Sequence, residues 1–319
     1  MTDTANNAKL ICVVGPTASG KSSLALRLAR ALDGEIISCD SMQLYRGMDI
    51  GTAKTTKEEA DGIPIRLTDV FDIGEPFSVT DYAALAEKAV REVVGNGHVP
   101  VFCGGTGLYI DTFVRGLSLA SYENKPGERE ALTEYAAVNG ADALYEELLK
   151  VDPESAAHIE KGNVRRVIRA LEVFRSTGVT ASEMNRRAVE KATPRDALYI
   201  GLAYRDRNAL YARIDARVDE MMRLGLFEET KTLVARGLRD TKTATQAIGY
   251  KEFYPYLDGT ATLEECVEVL KAHTRQYAKR QLTWFKRNEN VHFLYRDEMT
   301  EDEVFAAARK AAEAFLRNE

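Results

Sequence analysis

No apolar stretch in this 319-residue chain approaches the roughly 20 residues that a membrane-spanning helix needs. Met1 to Lys9 carries no apolar core ahead of the first strand-like run, so export is not expected and a cytoplasmic protein is. Cysteine is scarce. Cys12, Cys39, Cys103 and Cys266 show no C-x-x-C spacing, which excludes a zinc ribbon, and the first three fall in apolar runs, as small buried hydrophobes of a reducing compartment do. There are no internal repeats or low-complexity tracts. An excess of positive charge is also missing: the net charge is -6, which on the global count argues against a nucleic-acid partner.

The charge is unevenly placed, however. Lys271 to Arg287 (KAHTRQYAKRQLTWFKR) holds six Lys/Arg and no acid, and Lys161 to Arg187 holds seven against two Glu. Such stretches are either solvated faces or the footprint of a nucleic acid. At this length the chain can form one large domain or two smaller ones.

Leu10 to Val14 (LICVV) reads as a buried parallel strand and SSLALRLARALDG as a helix ending near Gly34. Glu35 to Cys39 is a second strand, Asp81 to Val94 a helix, and Val99 to Cys103 a third strand that runs into Gly104-Gly105-Thr106-Gly107. This alternation predicts an α/β fold, a P-loop parallel sheet core with ligands at the carboxyl ends of its strands. From about Gly116 to Pro194 the pattern is helical; Asp196 to Tyr204 restores a strand, and the rest is mainly helical. The expected organisation is therefore a core of 1–115 plus about 196–319, interrupted by a helical insertion domain at about 116–195.

Gly15-Pro16-Thr17-Ala18-Ser19-Gly20-Lys21-Ser22 matches G-x-x-x-x-G-K-[ST] with a strand before it and a helix after it. Backbone amides of such a loop face a phosphate group, Lys21 adds a point charge, and the Ser22 hydroxyl suits Mg²⁺. A plain NTPase would end a later apolar strand in an Asp that holds the metal. Here VPVFC ends in GGTG, and Asp40 is the one acid placed at a strand end. A diphosphate acting as a leaving group, with an acid aimed at the acceptor, fits that arrangement.

Asp40 to Lys54 (DSMQLYRGMDIGTAK) closely resembles a hallmark of the tRNA dimethylallyltransferases of bacterial type, which modify the adenosine 3′ of the anticodon. So do GPTASGKS, GGTGLY at 104–109, NVRRVIRALEVF at 163–174, LYARIDARVDEMMRLGLFEE at 210–229, AIGYKE at 247–252 and TRQYAKRQLTWFKR at 274–287, in order from about 10 to 290. The resemblance implies transfer of a dimethylallyl group from dimethylallyl diphosphate to N6 of that adenosine in tRNAs reading codons that begin with U. It implies Asp40 as acceptor of the amine proton, with Lys21 and Arg217 on the departing diphosphate. Arg213, one turn from Arg217, either shares that role or is solvated. The Thr106 hydroxyl would bond the bridging oxygen or the base, or cap the following helix. Contacts to the tRNA anticodon stem-loop would come from Asp40, Ser41, Met42 and Gln43, from Arg165, Arg166, Val167, Ile168 and Arg169, and from Gln246, Gly249, Tyr250 and Lys251. A last group would be Lys279, Arg280, Gln281, Trp284 and Lys286. The insertion would be the lobe that clamps the stem. Mg²⁺ is the implied cofactor, no membrane is involved, and nothing demands more than a monomer. Gln246 and Lys251 stand where the family often has arginine, and Ser22 where it often has threonine.

Three rivals share parts of this pattern. A P-loop small-molecule kinase has no use for DSMQ or GGTG. An enzyme prenylating free AMP has no use for the insertion or the basic C-terminal helix. A non-catalytic RNA-binding module would release no diphosphate.

Overall fold

In the computed structural model, which describes residues 8–117 and 125–319, the first half of the chain alternates strand and helix. Its elements are β1 (Leu10–Val14), α1 (Lys21–Ala31), β2 (Gly34–Ser38), α2 (Lys57–Ala60), β3 (Ile65–Arg66), α3 (Val79–Gly95), β4 (Val99–Gly104) and α4 (Gly107–Val114). The helical stretch that follows holds α5 (Glu128–Val151), α6 (Pro153–His158), α7 (Val164–Thr177) and α8 (Ala181–Glu190). Then come β5 (Ala197–Ala203), α9 (Arg207–Arg223), α10 (Leu226–Ala235), α11 (Tyr254–Leu257), α12 (Leu263–Phe285), β6 (Val291–Tyr295) and α13 (Glu301–Arg317). No helix among the described residues is long and apolar enough to cross a membrane.

All six strands are parallel, in the order β3-β2-β4-β1-β5-β6. Successive side chains leave a strand on opposite faces, so a strand covered on both sides must be apolar throughout. That is why LICVV is buried at every position. Leu10, Cys12 and Val14 pack with Phe102, with α3 and α4, and with Phe285 of α12. Ile11 and Val13 pack on the other face with Val101, α1 and α13. Each such side chain, fully withdrawn from water, contributes roughly 1.5–3 kcal/mol. Val14 pairs with Gly104 and Ser38 with Cys103, so β1, β4 and β2 end at one level. The loops leaving those three ends, at Gly15, Asp40 and Gly105, therefore start side by side.

Two compact units divide the chain: Met1–Val114 with Arg195–Glu319, and Arg115–Pro194. The second has its own core, in which Leu132, Leu144 and Leu148 of α5 meet Val167, Ile168 and Leu171 of α7. Glu172, 2% exposed, is bonded there by Arg129 and Arg169.

β3 and β6 go beyond the sequence expectation, which placed four strands, whereas α13 falls in the stretch expected to be mainly helical. β3 is two residues long and β6 is a half-buried edge strand against β5. An apolar run as short as VHFLY has no periodicity that separates strand from helix.

At the amino end of the sheet Glu35, 1% exposed, receives Arg66 Nε at 2.6 Å, Asn96 Nδ2 at 3.0 Å and His98 Nδ1 at 2.7 Å. Burial alone would push its carboxyl up; the hydrogen bonds from Arg66, Asn96 and His98 outweigh burial and hold it at about 2, against an ordinary 4.5. Its stabilising effect is thus complete above about pH 4.5 and lost as the pH falls toward about 2. Glu35→Gln should lower stability at neutral pH by about 2 kcal/mol. In urea titrations the variant should also lose less stability than the wild type between those two pH values.

Candidate active site

The loop after β1 turns back on itself and enters α1 through Gly20, whose φ of 89° is left-handed and disfavours a side chain. Gly20 offers no side chain to cap α1, and no acid lies in the helix's first turn. The amides of that turn are left to bind an anion. Ser19 Oγ is fully buried within the loop without a hydrogen-bond partner among the described residues. Lys21 Nζ reaches back to the Pro16 carbonyl at 3.3 Å.

A cavity of about 280 Å³ opens beside this loop, lined by Thr17, Lys21 and Ser22, by Asp40 to Gln43, and by Arg217, Lys251, Tyr277 and Arg280 among others. Its charged lining residues are Lys21, Arg217, Lys251 and Arg280 against a single carboxylate, Asp40. Burial lowers the pKa of Lys21; Cys103 and Asp40 oppose the shift and Arg217 adds to it. Burial also lowers the pKa of Arg217, with Asp40 and Glu59 opposing. Both cations are therefore short of counter-charge. The wall also carries Ile36, Met42, Ile65, Ile214, Val218 and Met221, an apolar surface next to the cations.

Asp40 Oδ1 accepts the Met42 amide at 2.9 Å, which turns the chain and leaves Oδ2 without a hydrogen-bond partner among the described residues. Thr106 Oγ1 accepts the Ser41 amide at 3.3 Å. The Tyr277 phenol, kept neutral by burial and by the Asp40 charge, lies beside Thr106 and Gln281. Ser38 Oγ donates to Gln43 Oε1 at 2.8 Å, and Gln43 Nε2 donates to the Thr52 carbonyl at 3.1 Å. The strip from 38 to 53 is thereby tied to itself.

A second set of bonds holds that strip from outside. Glu229, on α10, accepts the amides of Asp49, Ile50 and Gly51 at 3.2, 2.8 and 3.0 Å and the Tyr250 hydroxyl at 2.8 Å. Three separate motifs, DIGTAK, LFEE and AIGY, thus meet at one carboxylate. Tyr250 is 0% exposed and Gly249 is buried, its amide donating to Glu252 at 2.9 Å.

The residues singled out in the sequence fall into distinct places. Lys21, Ser22, Asp40, Thr17 and Arg217 share the cavity; Thr106 touches it through Ser41 and Tyr277. Arg213 instead donates from Nε to the Ala18 carbonyl at 3.2 Å, bracing the phosphate loop. Ser41, Met42, Gln43, Gln246, Gly249, Lys251, Arg280 and Gln281 line the cavity, and Lys279 on α12 and Lys286 at its C-cap are exposed. Gln281 is 4% exposed, and Trp284 is half-buried with its indole N–H on Asp111 at 2.6 Å. In the insertion, Arg165, Arg166 and Arg169 are exposed on α7, whereas Val167 and Ile168 are packed into that unit's core. Glu229, Tyr277 and Cys103 were missed. Tyr277 and Glu229 lie inside motifs, but nothing in their spacing marks them as site residues.

Residues 43–288 match the model of the IPP transferase family, and residues 8–67 that of the isopentenyl transferases. The chain is 48% identical to the tRNA dimethylallyltransferase of Halalkalibacterium halodurans, over 89% of this chain and 90% of that one. It is 46% identical to the tRNA dimethylallyltransferase of Bacillus subtilis, over 90% and 91%. The crystal structure of a full-length tRNA isopentenylpyrophosphate transferase from Bacillus halodurans superposes with a TM-score of 0.72 at 43% identity, covering 98% of both chains. A eukaryotic dimethylallyltransferase acting on tRNA superposes at 0.82 with 28% identity, covering 98% of this chain and 80% of that one.

Glu229→Gln would turn an N–H donor toward amides that already donate. It should cost about 2 kcal/mol in a urea titration, the range of hydrogen bonds to a charged group. Tyr250→Phe, which removes one neutral bond, should cost about 1 kcal/mol in the same titration.

Proposed function

The chain belongs to the tRNA dimethylallyltransferases, the IPP transferase family of prenyl-transferring enzymes, and from that premise we propose how its own residues carry the transfer. The substrates in this reading are dimethylallyl diphosphate and the anticodon stem-loop of tRNAs reading codons that begin with U. The product is N6-dimethylallyladenosine, 3′ of the anticodon, with diphosphate released.

As the allylic C–O bond breaks, positive charge spreads over the allyl carbons and negative charge gathers on the diphosphate. Preorganised cations and amides at the leaving group are then the largest available contribution. The observation that carries this reading is the cavity's charge: Lys21 and Arg217, both depressed by burial, with Asp40 as the one acid. A diphosphate between the loop amides and these two cations supplies what the site lacks. The apolar wall of Ile36, Met42, Ile214, Val218 and Met221 suits a branched hydrocarbon.

An adenine N6 amine is a poor nucleophile because its lone pair is delocalised into the ring. It needs an acceptor that orients it and takes its proton. Asp40 is placed for this, with Oδ1 anchored by the Met42 amide and Oδ2 available. Thr106, held by Ser41, would bond the bridging oxygen or the base. Ser22, which lines the cavity beside Lys21, would offer its hydroxyl to Mg²⁺. When bound there, the ion would neutralise developing charge on the diphosphate.

The base must leave its stack to reach Asp40. Lys279 on α12 and Lys286 at its C-cap present exposed charge for phosphates of the stem-loop, and the insertion, taken by itself, exposes Arg165 and Arg166 on α7.

Labelled dimethylallyl diphosphate incubated with unmodified tRNA, with AMP and ATP as parallel acceptors, tests the reading. Label on tRNA supports it; label on AMP alone, or ATP turnover without prenyl transfer, overturns it. Asp40→Asn should lower kcat by about 10²- to 10⁴-fold with tRNA affinity unchanged. Replacing Lys279 and Lys286 with Ala should weaken tRNA binding and reduce the slope of log K against log salt by about 1–2. The KM for dimethylallyl diphosphate should stay level in that double variant.

A further inference from the structure

The basic helix α12 touches both substrate loops through one side chain. Gln281 Oε1 accepts the Thr17 amide at 2.8 Å, and Gln281 Nε2 donates to the Gly105 carbonyl at 3.1 Å. The side chain lines the cavity but is only 4% exposed, and each of its amide atoms already has a partner inside the protein. The sheet pairs β1 with β4 only as far as Val14 and Gly104. Past that rung no backbone hydrogen bond joins residues 15–20 to residues 105–107. Gln281 supplies the next rung from a third element.

The neighbouring residues of α12 seat it along the same loop. Tyr277, one turn before, lies beside Thr106. Trp284, one turn after, bonds Asp111 of α4. The glycines of GGTG make room for this. A Cβ on Gly105 would lie 1.9 Å from Gln281 Nε2, and one on Gly107 would lie 2.1 Å from Trp284 Cδ1. Neither glycine has a positive φ, so close approach and not backbone conformation excludes a side chain there.

We propose that Gln281 is a positioning residue that clamps the diphosphate loop at Thr17 to the Thr106 loop at Gly105, fixing the gap across which the prenyl group moves. This rests on the function proposed above, in which Thr17 lies by the departing diphosphate and Thr106 by the bridging oxygen or the acceptor base. It also gives α12 a direct mechanical link to the reacting centre, while its exposed Lys279 and Lys286 face solvent.

Gln281→Met keeps the length and removes both bonds; Gln281→Glu keeps the acceptor toward Thr17 and loses the donor toward Gly105. Displacing the loops by about 1 Å should lower kcat by about 10²-fold in Gln281→Met and less in Gln281→Glu. The KM for dimethylallyl diphosphate and the tRNA affinity should stay within about threefold, because the groups binding each substrate remain. Gly105→Ala alone should be impaired like Gln281→Met. Added to Gln281→Ala it should cost little more, since the clashing atom has gone. Hydrogen exchange gives a readout independent of activity: the Thr17 amide should exchange at least about tenfold faster in Gln281→Met, with β1 and β4 unchanged. Wild-type kcat in Gln281→Met, additive losses in the Gly105 cycle, or unchanged Thr17 exchange would overturn the clamp. So would loss of tRNA affinity at constant kcat, which would return Gln281 to tRNA contact. A wild-type chain that transfers no prenyl group overturns the proposed function instead, and the exchange of Thr17 still decides the clamp.

Discussion

Lys21 and Arg217 line one cavity whose walls carry a single carboxylate, Asp40, and the rest of the core is arranged to keep them there. Withdrawing a cation from water is costly unless an anion or a set of acceptors replaces the lost hydration. Asp40 replaces part of it for both side chains. In the proposed function the diphosphate supplies the remainder, meeting the uncapped start of α1, the loop amides and the two cations. The parallel sheet makes this possible by ending β2, β4 and β1 at one level. Anion loop, acid and threonine thus arrive together from three strands.

Loops that leave a sheet need something to hold them once the ladder ends. Two side chains supply it here, each from a helix in the C-terminal half of the chain. Glu229 collects three successive amides of the 49–51 turn together with Tyr250, and Gln281 bridges the phosphate loop to the GGTG loop. Arg213 adds a bond to Ala18. The catalytic loops are therefore fixed by α9, α10 and α12, elements far away in sequence, and α12 also carries exposed charge. A carboxylate that accepts four donors and an amide that satisfies both its ends are strong restraints because each would be left unpaired if its loop moved.

The strand–loop–helix of 10–31 was legible in the sequence because glycine spacing, lysine and flanking periodicity all point one way, and the fold class followed from the alternation. Asp40 was legible by elimination, as the one acid at a strand end. β6 was not, because a half-buried edge strand of five residues has no distinctive period. The glycines of GGTG carried no role of their own in the sequence, since their spacing is the same whether a substrate or a glutamine approaches. Tyr250 and Gly249 sat in a motif the resemblance assigned to tRNA contact, yet both are buried with partners inside the protein. Motif membership marks what the site needs; it does not separate residues that touch a substrate from those that hold the touching ones. That distinction depends on burial and partners, which only the three-dimensional arrangement supplies.

Removing the cavity's one negative charge should tighten, not weaken, the binding of a phosphate anion. Inorganic pyrophosphate binding to wild type and to Asp40→Asn, measured by calorimetry without magnesium, compares the cavity with and without its one negative charge. Tighter binding by several-fold in Asp40→Asn, alongside lost turnover, is the expected result, since removing a like charge in a partly buried site favours the anion by roughly 1 kcal/mol or more. Weaker binding in the variant would mean that Asp40 supports the phosphate site itself, and would contradict the separation of leaving-group cations from acceptor acid.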